Sequence, residues 1–196
     1  FAAVFQNRYY MDDKGNMCPF VQAWFADTNI RTYDEVVFDP PPTTQNENNF
    51  NLYSGLRAEN LPDCGVGESG CSIEPVLGHM RIMTDAAAQG DQGFEYFLKW
   101  CAQRVQFPGI RPKTAMIFQG KQGCGKGIFI EWFGEKVIGK QYYFGTAGMR
   151  DLTGHFNEGL MNRLLIFLDE TKTKDSFKDA AELKRLIDLE MEGSVG

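Results

Sequence analysis

The sequence predicts a parallel α/β core built around a phosphate-binding glycine loop, with a smaller mixed α+β region ahead of it. Three observations carry that expectation. A short strand-like stretch from Thr114 to Phe118 runs straight into the glycine-rich residues 120–127. A helical pattern follows over residues 126–137. A second apolar run, residues 164–168, ends in the acids Asp169 and Glu170. Strand, loop, helix and a strand ending in acids is the order of a parallel sheet that presents its ligand-binding groups at the carboxyl ends of its strands.

Taken in order, residues 1–39 mix aromatic clusters with a reversal at Asp12-Asp13-Lys14-Gly15-Asn16, residue types that favour a tight turn between extended arms. Pro19 is placed to open a short helix through Trp24 and Phe25. Residues 33–38 read as a strand stopped by Pro40-Pro41-Pro42, and residues 51–55 return to an extended form after a polar loop. Residues 60–70 read as a glycine-bearing loop. From Asp91 the period changes: Phe94, Phe97, Leu98, Cys101 and Val105 recur at helical spacing until Pro108 and Pro112 end the pattern. Residues 114–118 read as a short buried strand, and Gly139 is placed to terminate the helix that starts at Lys126. Residues 164–168 read as a strand covered on both faces, and residues 178–187 as a final amphipathic helix. The resulting division is an accessory region over residues 1–90 and a core over residues 91–196. Phe1 stands where an initiating Met would, and the run from Glu192 to Gly196 reads as cut. The expectation is a piece of a longer protein, its core incomplete on the C-terminal side.

Composition limits the function. At 196 residues and 43% apolar, the chain can bury one substantial core, and 16 phenylalanines exclude a disordered tail. No apolar run reaches the ~18–20 residues of a membrane helix, and no basic-then-apolar leader is seen, so an intracellular protein without membrane association is expected. The five cysteines are odd in number and sparsely spaced, which favours reduced thiols. Cys64 and Cys71 with His79 match no zinc spacing and lack a fourth ligand, so no metal is assigned to them. A net charge of −6 argues against gripping nucleic acid with the whole surface and leaves a local patch, or loops from several subunits, as the means.

Two motifs carry chemistry. Gly120-Lys121-Gln122-Gly123-Cys124-Gly125-Lys126-Gly127 fits G-x-x-x-x-G-K-[ST], the Walker A pattern of a P-loop, at every fixed position except the last. Glycines let backbone N–H groups curl around a phosphate chain without Cβ obstruction, and the following helix turns its positive end to the same anion. Lys126 would reach the β- and γ-phosphates of ATP. Gly127 stands where Ser or Thr would give a hydroxyl to Mg²⁺, leaving that ligand to water. In Leu168-Asp169-Glu170, Asp169 would hold Mg²⁺ through water and Glu170 would orient or deprotonate the attacking water. Alone, either motif reads as a turn or as a buried strand meeting a solvated loop; together they predict a P-loop NTPase core.

These motifs, with Lys99-Trp100, Val105-Gln106, Pro108, Gly154-His155-Phe156-Asn157 and Leu183-Lys184, resemble the helicase portion of viral and phage primase–helicases. Those are superfamily 3 helicases of the poxvirus-type primase–helicase branch. Val37-Phe38-Asp39-Pro40 and Asn51-Leu52-Tyr53-Ser54-Gly55 resemble segments that precede that core, and the resemblance spans residues 32–187. It implies ATP- and Mg²⁺-dependent translocation on single-stranded DNA, or RNA, by a homo-hexameric ring at the site of viral or phage replication. It also implies a primase or polymerase domain in the same chain, with a polar sensor and an arginine finger beyond residue 196. His155, Arg150, Lys172 and Lys174 read as structural or solvated residues before functional ones, and Phe129, Trp132 and Phe133 as helix packing. Two alternatives stand beside the helicase: a P-loop kinase of a small acceptor, and, because of Gly127, a nucleotide-binding scaffold with little hydrolysis.

Overall fold

The computed structural model describes residues 5, 7–61, 72–120, 123, 125–148, 150–153, 157–169, 184 and 187. The fold is mixed α/β with small parallel sheets, and the chain divides into two compact units.

Unit one comprises Phe1–Val37 and Gln45–Asn51. Its hairpin pairs β1 (Tyr9–Met11) antiparallel with β2 (Met17–Pro19) across the expected turn. Asp12 makes that turn: its Oδ1 accepts the N–H groups of Lys14 at 2.9 Å and Asn16 at 2.8 Å, and these bonds, Asn16 first, hold its carboxyl below the usual range. Pro19 caps α1 (Phe20–Ala26), its fixed φ suiting a helix entrance. β3 (Glu35–Val37) runs parallel to β4 (Asn49–Asn51), with Tyr33 edge-on to Phe50.

Unit two comprises Phe38–Thr44 and Leu52–Gly196. In chain order its helices are α2 (Glu74–Met83), α3 (Ala86–Gln89), α4 (Gln92–Gln106), α5 (Lys126–Trp132) and α6 (Arg150–Thr153); β5 (Tyr143–Thr146) and β6 (Leu165–Leu168) supply the sheet. The core draws on both sides of position 90: Leu56 and Met80 pack in one cluster with Phe97, Phe129, Phe133, Ile138 and Leu165. Phe97 is completely buried and meets Phe118 and Phe129 edge-on at 4.9 and 5.2 Å. Helix α4 keeps the expected face at Phe94, Phe97 and Cys101, but Leu98 lies at its rim and the face continues to Arg104. Arg104 donates to the Ile110 carbonyl, and burial, helped by the Arg111 charge, lowers its pKa to about 10. Gly109 is glycine for want of room: it donates to the Pro41 carbonyl at 2.8 Å, and the Pro40 carbonyl occupies the space of a side chain.

Three elements differ from expectation. Residues 114–118 are not hydrogen-bonded as a strand; they keep a strand's alternation, with Met116 and Phe118 turned to the core and Ile117 82% exposed, so the segment is covered on one side only. The helix from Lys126 is α-helical only to Trp132 and continues as a π-helix over Phe133–Gly139. The wider turn keeps Phe133 and Ile138, five residues apart, both buried, while the Tyr143 ring fills the space over Gly134. Gly139 ends the run at φ +117°, as its placement predicts. In β6 the alternation is one-sided, with Leu165 buried and Ile166 44% exposed, so this strand too is covered mainly on one face. Of the expected final helix, Lys184 and Ile187 are described, and both are helical. Among the described residues no helix is long and apolar enough to cross a membrane.

Candidate functional site

The glycine loop takes the conformation its composition demands. Gly123 and Gly125 have φ of +84° and +83°, the left-handed region that a Cβ penalises. Gly125 is the residue from which α5 departs. Lys126, the first residue of the helix, folds its side chain back so that Nζ donates to the Gly120 carbonyl at 3.1 Å. The ammonium therefore ties the last part of the motif to its first residue. Gly127 is helical, and a Cβ there meets nothing within 4 Å, so glycine is not imposed by space. Lys121, Gln122 and Cys124 lie outside the described residues.

One contact to this loop was not foreseen. His79, half-buried on α2, places Nε2 3.0 Å from the Gly125 carbonyl. A carbonyl only accepts, so Nε2 carries the hydrogen. The ring lies so close that a Cβ on Gly125 would stand 2.6 Å from its Cε1. No local pattern announces this pairing, because the partners are 46 positions apart.

The second motif emerges from the parallel pair. β5 and β6 run in register from Tyr143 opposite Leu165 to Thr146 opposite Leu168. The ladder extends one step further, where the Asp169 amide donates to the Thr146 carbonyl at 2.8 Å. Asp169 thus leaves the carboxyl end of β6 exposed to solvent. Beside it, the Thr146 hydroxyl donates to the Asp151 carboxylate and accepts the Gly148 N–H at 3.1 Å. Tyr143 links helix and strand electrostatically. Burial pushes its phenol up to about 12, and the charges of Glu131 and Glu135, on the helix after the loop, and of Asp169 add to the rise.

Glu170, His155, Lys172 and Lys174 lie outside the described residues, and Arg150 is described only as helical. Arg163 is tied down at the other end of the strand pair, donating through Nε to the Gly159 carbonyl at 3.0 Å and through Nη1 to the Gln141 carbonyl. Phe129 and Phe133 are buried, stacked 6.0 Å apart, while Trp132 is 41% exposed at the helix surface. Among the described residues no cluster of three His, Cys, Asp or Glu side chains stands ready to hold a metal. A surface depression of about 430 Å³ beside Arg81, Asp85 and Asp91 contains neither motif.

Residues 118–194, which open just before the glycine loop and take in Asp169, match a family model described as a family of unknown function, DUF5906. The match covers less than half of the chain. No curated protein and no solved structure matches the chain.

Proposed function

We propose that this chain carries the P-loop ATPase core of a superfamily 3 DNA helicase belonging to a viral or phage primase–helicase. The observation that carries the nucleotide reading is the loop itself. Two left-handed glycines lead into a helix whose first residue is a lysine folded back across the loop. Such an arrangement brings the N-terminal end of a helix and an ammonium together, the two groups with which a P-loop meets a phosphate chain.

The residues fit a nucleoside triphosphate. Glycines place no Cβ at positions 123 and 125, and Lys126 exchanges the Gly120 carbonyl for phosphate oxygens. Asp169 offers a solvent-facing carboxylate for Mg²⁺ through water, and the open space at Gly127 leaves room for a further water in place of a hydroxyl. Bound Mg²⁺ would neutralise phosphate charge. Glu170 takes the water-orienting role. In the whole protein the reading includes a homo-hexameric ring on single-stranded DNA and a primase or polymerase domain in the same chain. Gly127 also favours a second reading, a nucleotide-binding scaffold with little hydrolysis.

The test is titration of a fluorescent ATP analogue with Mg²⁺ into wild type and Lys126→Ala. Removing a charge-assisted contact worth roughly 1.5–3 kcal/mol weakens binding about tenfold or more. Equal affinities rule out the cradle. In the whole protein, stimulation of ATP hydrolysis by single-stranded DNA, abolished in Glu170→Gln, separates the helicase from a kinase or scaffold; residues 1–196 by themselves are expected to hydrolyse ATP poorly.

A further inference from the structure

We propose that His79 is a positioning residue for the phosphate cradle, setting from α2 the peptide between Gly125 and Lys126. The inference rests on the nucleotide reading above and extends it to a residue outside both motifs.

The argument starts from one carbonyl. Gly125 precedes α5, so its oxygen should accept the first bond of the helix. That bond, from the Phe129 amide, is 3.5 Å long, at the limit of a hydrogen bond. His79 Nε2 donates to the same oxygen from 3.0 Å and is the better partner of the two. A trans peptide is planar, with its C=O and N–H pointing in opposite directions. Fixing the Gly125 carbonyl towards α2 therefore fixes the Lys126 N–H away from α2, and the nucleotide reading puts the phosphate on that side.

Packing makes the histidine a firm reference point. The next residue, Met80, is buried in the core with Phe97 and Phe129, so α2 is anchored directly beside the imidazole. The ring occupies the space of a Gly125 Cβ, with Cε1 at 2.6 Å and Nε2 at 3.0 Å from that position. The histidine in this position thus requires the left-handed glycine: no other residue at 125 admits both the ring and φ of +83°. Rotation of the 125–126 peptide on phosphate binding must either keep this hydrogen bond, carrying the imidazole with it, or give the bond up.

The experiment titrates the same fluorescent ATP analogue into the full chain carrying His79→Ala, His79→Gln, His79→Leu or Lys126→Ala, with thermal melting of each. Glutamine keeps a donor at about the reach of Nε2, and leucine fills space without one. The expected result is an affinity loss of about three- to tenfold for His79→Ala and His79→Leu, with His79→Gln within about twofold of wild type. Should the alanine variant not fold, the leucine and glutamine pair carries the same comparison. Wild-type affinity in His79→Leu, alongside a loss in Lys126→Ala, overturns the positioning role and leaves the nucleotide site standing. Equal losses in the glutamine and leucine variants also overturn it, because the ring and not the donated bond is then what matters. No loss in Lys126→Ala overturns the nucleotide reading and this inference with it.

Discussion

Replacing Gly125 by alanine sets two costs against each other in one small volume. Holding a residue with a Cβ at φ +83° costs about 1–2 kcal/mol. The new methyl group also stands 2.6 Å from His79 Cε1, closer than carbon atoms pack. Keeping the ring in place costs about 1–3 kcal/mol of overpacking. Swinging it aside sacrifices the bond to the Gly125 carbonyl, a loss of about 0.5–1.5 kcal/mol. The second route is cheaper, so the ring moves, and the total comes to roughly 1.5–3.5 kcal/mol. For a chain of this size that lowers the melting temperature by roughly 3–14 °C. Gly127→Ala is the internal control: its Cβ meets open space in a helical conformation, so melting rises, by up to about 1 kcal/mol of stability. Because the alanine at 125 has already broken the histidine bond, adding His79→Ala should cost less in that background than in wild type. Thermal melting of the four variants reads all three comparisons. Equal melting of Gly125→Ala and Gly127→Ala would falsify the left-handed loop, and strict additivity with His79→Ala would refute the contact.

Stability should fall as pH rises through about 9–12. Burial raises Cys101, Tyr53 and Tyr143 to about 12, so the folded chain keeps protons that the unfolded chain releases from pH 9.0 for the thiol and 10.0 for the phenols. Their contribution is complete below those values and lost on approaching 12; Arg104, lowered to about 10, opposes the trend with the opposite sign. Urea midpoints across that range should decline in wild type and less steeply in Tyr143→Phe, and a flat profile contradicts the assignment. Tyr142→Phe should cost about 1–3 kcal/mol, because the Ser54 amide donates to the Tyr142 hydroxyl at 2.8 Å and is left without that partner. An unchanged urea midpoint would show that Ser54 finds a replacement.

The sequence alone determined the features whose causes are local. Glycine spacing specifies a loop that needs positive φ, and Gly123 and Gly125 adopt it. Asp12 with Gly15 specifies the hairpin turn, Pro19 the start of α1, the spacing of Phe94, Phe97 and Cys101 the buried face of α4, and Gly139 the end of the helical run. An apolar run ending in an acid specifies a strand with Asp169 at its exposed end, and Asp169 stands there. What only the tertiary structure decided concerns partners distant along the chain. Residues 115–118 and 165–168 are both wholly apolar, yet only the second run is paired in a ladder, because pairing depends on a neighbour that periodicity does not name. The π turn answers to the Tyr143 ring lying over Gly134, and the burial of Arg104 to a carbonyl beyond the end of its own helix. The bond from His79 to Gly125 joins an unremarkable helix to the most legible motif in the chain. Composition shows neither side of that contact, because a hydrogen bond between distant residues depends on how the core brings their backbones together.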